Sequence, residues 1–282
     1  MSSRQKRGAA VVLRVFILSF FLLFVMLPIY WMAITSFKPH EEIINTQLVT
    51  YFPHTFTLDN YRDLFKIFSY GDFLRNSIIL SVSTAVAVTI LSIFGGYGLA
   101  RYRFRGKTPM LLFFLITQMV PGILVIIPLY TVYAKMGIIA NVPHLGLWIF
   151  YVITNLPFCV ITMRSFFEGI PYSLEEAAMV DGCSRMRSLR KVILPVMFPG
   201  IVAVFVFAFI GAWNELIAGI IFTSEPSAWT IPVGLKSLIG KNNVKWGAMM
   251  AGGMLALVPT AVMFMIVQKY VVEGLTAGSV KE

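Results

Sequence analysis

Six long apolar runs alternate along the chain with shorter stretches where charge gathers. They cover residues 15–37, 76–100, 108–134, 143–163, 199–223 and 246–268. Hydrophobicity sustained over twenty residues or so, with no polar face, predicts helices solvated by lipid rather than packed on a soluble core. The first run, Val15 to Phe37, has no charge in 23 residues. At ~1.5 Å per residue it would extend ~35 Å, enough to cross a hydrocarbon core of ~30 Å. It is longer than the apolar part of a signal peptide and lacks a small-residue cleavage site, so it reads as a retained transmembrane helix.

Small and cyclic residues add detail within the runs. Gly95, Gly96 and Gly98 predict close helix packing at one end of the second. Pro121-Gly122 and Pro128 interrupt the third and predict kinks, and Pro157 sits inside the fourth. Residues 38–72 form the longest polar connection, and Arg101, Arg103, Arg105 and Lys107 make a compact basic loop. The pattern predicts an all-α membrane protein of six transmembrane helices, forming a single domain over residues 1–282.

Composition agrees: 58% of residues are hydrophobic and only 13% charged. The net charge of +10 is spread between the apolar runs rather than collected on one basic face, which argues for membrane loops and against nucleic acid. With both termini placed inside, the cytoplasmic segments hold 15 of the 23 Lys and Arg residues and the external segments eight. That bias predicts cytoplasmic termini and an external 38–72 connection. Acidic residues divide six and six, leaving only Glu215 within a span.

The most informative stretch is 171–200, PYSLEEAAMVDGCSRMRSLRKVILPVMFPG, within the cytoplasmic loop 164–198. Ser173 and Glu176 have capping-box spacing, and Glu175 and Glu176 put negative charge in the first turn, where the helix dipole favours it. Leu174, Ala177 and Ala178 share a face that another surface could approach closely. Gly182 is suited to a left-handed helix end. Met186, Leu189 and Ile193 then oppose Arg185, Arg187, Arg190 and Lys191 in a second amphipathic segment, closed by Pro195 and Pro199. The basic face would lie against anionic lipid, each cation contributing about 1 kcal/mol.

Glu176-Ala177-Ala178, three residues, Gly182, nine residues, then Val192-Ile193-Leu194-Pro195 closely resembles the EAA loop of bacterial ABC-importer permeases, with Val192 where isoleucine is usual. The stretch from Tyr51-Phe52-Pro53 to Asn60-Tyr61, Trp213-Asn214-Glu215 and the glycine-containing tail resemble the maltose-type subunit of carbohydrate permeases. The resemblance implies a type I importer permease fold in the bacterial inner membrane. It implies a second permease subunit as heterodimer partner, two ATPase subunits and an external sugar-binding protein. It further implies that Ser173, Leu174, Glu175, Glu176, Ala177, Ala178, Asp181, Gly182, Leu194 and Pro195 couple to the ATPase, and that Thr276, Ala277, Gly278 and Ser279 reach it from the tail.

No chemistry of the chain's own appears in the sequence. Cys159 and Cys183 give no disulfide or metal spacing, and the three histidines are scattered. Arg105-Gly106-Lys107-Thr108 looks like the end of a phosphate loop, but Arg101 stands where the first glycine is required. The expectation is a transport subunit with no cofactor, ATP and magnesium being bound by the partner. Gln118, Asn155, Asn214 and Glu215 are polar positions inside spans. They are candidates for hydrogen bonds to sugar hydroxyls, with helix packing or, for Glu215, pairing with Lys236, Lys241 or Lys245 as the alternatives. A glycerol-phosphate importer shares these motifs. A secondary transporter would need intramembrane ion sites that one acidic residue does not supply.

Overall fold

A computed structural model describes residues 3–45, 47, 49–240 and 244–279, with side chains from 11 to 270 within those limits. The described residues are helical, apart from loops and one isolated β-bridge between Ile239 and Val244. The chain divides into two compact units, residues 1–70 with 235–257 and residues 71–234 with 258–282.

In the first unit, α1 (Ser3–Ser36) is followed by α2 (His40–Ile44) and α3 (Asp59–Lys66). Polar side chains tie the connection to the end of α1: Asn60 Nδ2 donates to the carbonyls of Ser36 and Lys38 at 2.9 and 2.8 Å. The buried Lys38 ammonium donates to the Thr50 carbonyl and lies 4.8 Å from the centre of the Trp31 ring. From Val11 to Leu27 the large side chains of α1 are exposed, as a lipid-facing or partner-facing helix requires.

The second unit holds most of α4 (Tyr70–Arg101), then α5 (Lys107–Met119), α6 (Gly122–Lys135), α7 (Ile138–Asn141) and α8 (Pro143–Glu168). Next come α9 (Tyr172–Val180), α10 (Arg185–Ser188), a π-helical turn at Leu189–Ile193, α11 (Leu194–Val196), α12 (Phe198–Trp213) and α13 (Ile217–Phe222). After α13, α14 (Ile231–Ser237) leads to α15 (Trp246–Ser279). Among the described residues four helices are long and apolar enough to cross a membrane, and two bent pairs bring the total to as many as six.

The breaks have identifiable causes. Between α5 and α6 the axis turns by 95°. Pro121 has no N–H to continue the ladder and forces Val120 into extended backbone, with ψ at 118°. The run 199–223, expected as one span, is not one helix: α12 stops at Trp213 and α13 restarts at Ile217. Neither proline nor glycine causes that break. Glu215 turns its carboxylate onto the backbone ahead, accepting from Ala218 N at 3.0 Å and Gly219 N at 3.1 Å. A side chain that satisfies a helix start competes with the ladder that would have run through it. The core beneath joins Leu80, Ile126, Leu147, Tyr151 and Ala212 to an aromatic cluster in which Phe222 meets Tyr133 and Phe150 edge-on at 5.6 and 5.8 Å.

At the other end of α4 the helices approach closely. A Cβ on Gly96 would lie 2.9 Å from both Met163 Cβ and Arg164 N of α8, and one on Gly95 would lie 3.3 Å from Val160. Gly98 faces open space, so two of the three glycines serve the packing.

Candidate functional site

The segment after α8 folds into a short helix whose start is set by proline. Pro171, with φ −56° and ψ 133°, caps α9, which begins at Tyr172. Ser173 therefore sits inside the first turn and makes no capping hydrogen bond, correcting the capping-box expectation. The helix end follows expectation: Gly182 is left-handed at φ +83°. Gly182 N donates to Met179 O and Cys183 N to Ala178 O, both at 3.0 Å, the two bonds of a Schellman end.

The face expected from Leu174, Ala177 and Ala178 is divided by the fold. Ala178 is buried, whereas Leu174, Ala177 and Val180 stand exposed with Ser173, Glu176 and Asp181. Glu175, expected beside Glu176 at the surface, is 2% exposed and points inward. There the Tyr97 hydroxyl donates to one of its oxygens, and Arg101 Nε lies 3.2 Å from the other. Arg101 also donates to the Ile170 carbonyl at 3.0 Å and lies 5.6 Å from the centre of the Tyr172 ring. In the sequence Arg101 belongs to the basic stretch with Arg103, Arg105 and Lys107. The one available signal was its position abutting an apolar run, and nothing linked it to a carboxylate 74 positions later.

Beyond Gly182, Ser184 caps α10 by accepting from Arg187 N at 3.4 Å. Leu189 and Ile193 are buried; Met186, expected with them, is 45% exposed. Arg185, Arg187, Arg190 and Lys191 are exposed, as is Pro195, and Leu194 is half-buried. The backbone of Thr276, Ala277, Gly278 and Ser279 is helical at the end of α15; their side chains lie outside the described residues.

The intramembrane polar residues gather only in part. Asn155 donates to Tyr151 O at 2.8 Å and packs on α12, where a Cβ on Gly211 would come within 2.2 Å of its Oδ1. Asn214 lies one turn further along, exposed at the break. The half-buried Glu215 is engaged with the backbone of α13, and Lys241, one of the lysines named for it, lies outside the described residues. Gln118 lies apart on α5, exposed and bonded to Phe114 O at 3.2 Å. Among the described residues no cluster of His, Cys, Asp or Glu could hold a metal ion.

The fold thus sets broken apolar helices on either side, in sequence, of a short helix with an exposed strip. Residues 89–276 match the model of the binding-protein-dependent transport system inner membrane component, and the chain belongs to that family of multi-pass inner-membrane proteins. It is 36% identical over 266 residues to the inner membrane ABC transporter permease protein YcjP of Escherichia coli strain K12, covering 94% of each chain. It is 35% identical to the diacetylchitobiose uptake system permease protein DasC of Streptomyces coelicolor, covering 90% of this chain and 91% of that one. A crystal structure of a bacterial ABC transporter that imports the acidic polysaccharide alginate superposes with a TM-score of 0.79 at 24% identity, over 96% of this chain and 99% of the other.

Proposed function

We propose that this chain carries a sugar or oligosaccharide across the inner membrane, taking it from an external binding protein and driven by a separate ATPase. The observation that carries the coupling part is the outward strip of α9, where Leu174, Ala177 and Val180 stand exposed together with Glu176 and Asp181. A short rigid helix with one small apolar face fits a groove on a partner, and pushing it moves the helices it joins. ATP and magnesium belong to that partner, as do contacts from Thr276, Ala277, Gly278 and Ser279. A second permease subunit completes the pair and covers apolar surface that this chain leaves exposed.

The substrate class rests on kinship with the diacetylchitobiose uptake system permease protein DasC. Asn155 and Asn214, beside the broken end of α12, are the candidate contacts for sugar hydroxyls; Gln118 and Glu215 are more remote candidates. Both termini lie in the cytoplasm, by the bias in basic residues. The test is co-purification of the ATPase with tagged Glu176→Lys and Gly182→Val variants, alongside uptake of the sugar bound by the co-encoded binding protein. Both variants are expected to insert but to lose ATPase and uptake. Wild-type uptake by both would remove α9 from the coupling path.

A further inference from the structure

We propose that Arg101, Glu175 and Tyr97 form a latch tying the coupling helix α9 to α4, so that motion imposed on α9 enters a spanning helix to which it is not joined in sequence. The proposal rests on the coupling role given to α9 above and adds the route by which force leaves it.

Tyr97 and Arg101 are four positions apart, hence on one face of α4 and one turn from each other. Tyr97 donates a hydrogen bond to one oxygen of Glu175, and Arg101 Nε faces the other at 3.2 Å as an ion pair without hydrogen-bond geometry. The side chains of Arg101 and Glu175 are only 8% and 2% exposed, so neither charge is solvated by water. Arg101 reaches further, to the Ile170 carbonyl and the Tyr172 ring, and so holds both the approach to α9 and its first turn. Tyr97 is wedged edge-on against Phe167 at 5.4 Å, near the end of α8. With Gly96 leaving no space between α4 and α8, the ends of these two helices and α9 make one block.

The chemistry chosen for this joint points beyond stability. A buried ion pair is commonly no more stabilising than well-packed apolar side chains, whereas separating its members leaves a desolvated charge. Apolar packing lets helices slide by small steps, but a buried carboxylate hydrogen-bonded by Tyr97 and ion-paired with Arg101 is lost from both partners when the register changes. A push on α9 must therefore carry α4 with it. Neighbouring positions divide the work: Glu175 is the positioning residue turned inward, and Glu176 faces out.

The experiment uses the assembled transporter, purified through a tag on this chain and reconstituted in vesicles with its binding protein. Measured together are ATPase co-purification, ATP turnover and sugar molecules imported per ATP. Glu175→Gln and Arg101→Met are expected to retain the ATPase and to lower import per ATP by about tenfold, with Arg101→Lys in between. If both variants keep import per ATP within twofold of wild type, the latch is wrong. If either fails to assemble, Arg101→Met with Glu175→Leu, which leaves no unpaired buried charge, decides. An assembled but poorly coupled pair supports the latch; normal coupling, or failure to assemble again, overturns it. An intact wild-type chain that never binds an ATPase would instead defeat the reading of α9 itself.

Discussion

Glu215 offers the sharpest separation between a structural and a transport role. Its two oxygens accept from Ala218 N and Gly219 N at the start of a helix only six residues long. Hydrogen bonds to a charged acceptor contribute about 1.5–3 kcal/mol each, and removal of a helix cap costs ~0.5–2 kcal/mol. Glu215 is half-buried, so water recovers part of this, and Glu215→Ala is expected to weaken α13 by about 2 kcal/mol. Glu215→Gln keeps one accepting oxygen and loses the charge at the helix dipole, for ~1 kcal/mol. Phe222, with no exposed surface, hangs on this short helix, so loosening α13 also loosens the aromatic cluster around Tyr133 and Phe150.

The assay is amide hydrogen exchange over residues 217–222 in detergent, with uptake measured on the same variants. At 1.4 kcal/mol per factor of ten, Glu215→Ala should exchange roughly thirty-fold faster and Glu215→Gln about five-fold faster than wild type. Uptake should fall in that same order. Exchange unchanged in both variants while uptake is abolished would refute the capping argument and return the carboxylate to the sugar route.

Gly182→Val forces a branched residue to φ +83° and should destabilise the α9 end by about 1–2 kcal/mol, seen as faster exchange at Asp181 to Cys183; Gly182→Asn should cost less. Gly96→Leu pushes into Met163 and the α8 backbone and should lower the melting temperature in detergent, whereas Gly98→Ala, with open space beside it, should not. With Cys159 and Cys183 replaced by alanine, cysteines at Asn60, Gly137 and Gly240 should react with a membrane-impermeant thiol reagent on spheroplasts. Those at Arg105 and Ser184 should stay unlabelled, and labelling at Arg105 would invert the orientation.

The apolar runs made the all-α membrane architecture legible, because lipid leaves a backbone few alternatives to the helix. Helix breaks were legible only where an imino acid enforces them. Pro121 could be seen in advance as an interruption, though the 95° turn could not. The break after Trp213 could not, because it depends on what the Glu215 side chain does with its neighbours' N–H groups. At α9 the same limit applies on a smaller scale. The Ser-x-x-Glu spacing suggested a cap, but Pro171 starts the helix two positions earlier and leaves Ser173 without that task.

Glu175 and Glu176 show why the rest was hidden. Adjacent in sequence and identical in chemistry, they differ by the ~100° that separates consecutive residues on a helix. Composition and charge counting treat them alike. Only the packing of α9 against α4 decides which one is withdrawn from water, and that packing needs Arg101 and Tyr97 to be present below. An inward carboxylate without them would bear the whole desolvation cost of a buried charge. The two residues on α4 are therefore what turns a run of two glutamates into one anchored and one exposed. That asymmetry gives α9 a fixed rotation, and with it a defined outer strip of Leu174, Ala177 and Val180.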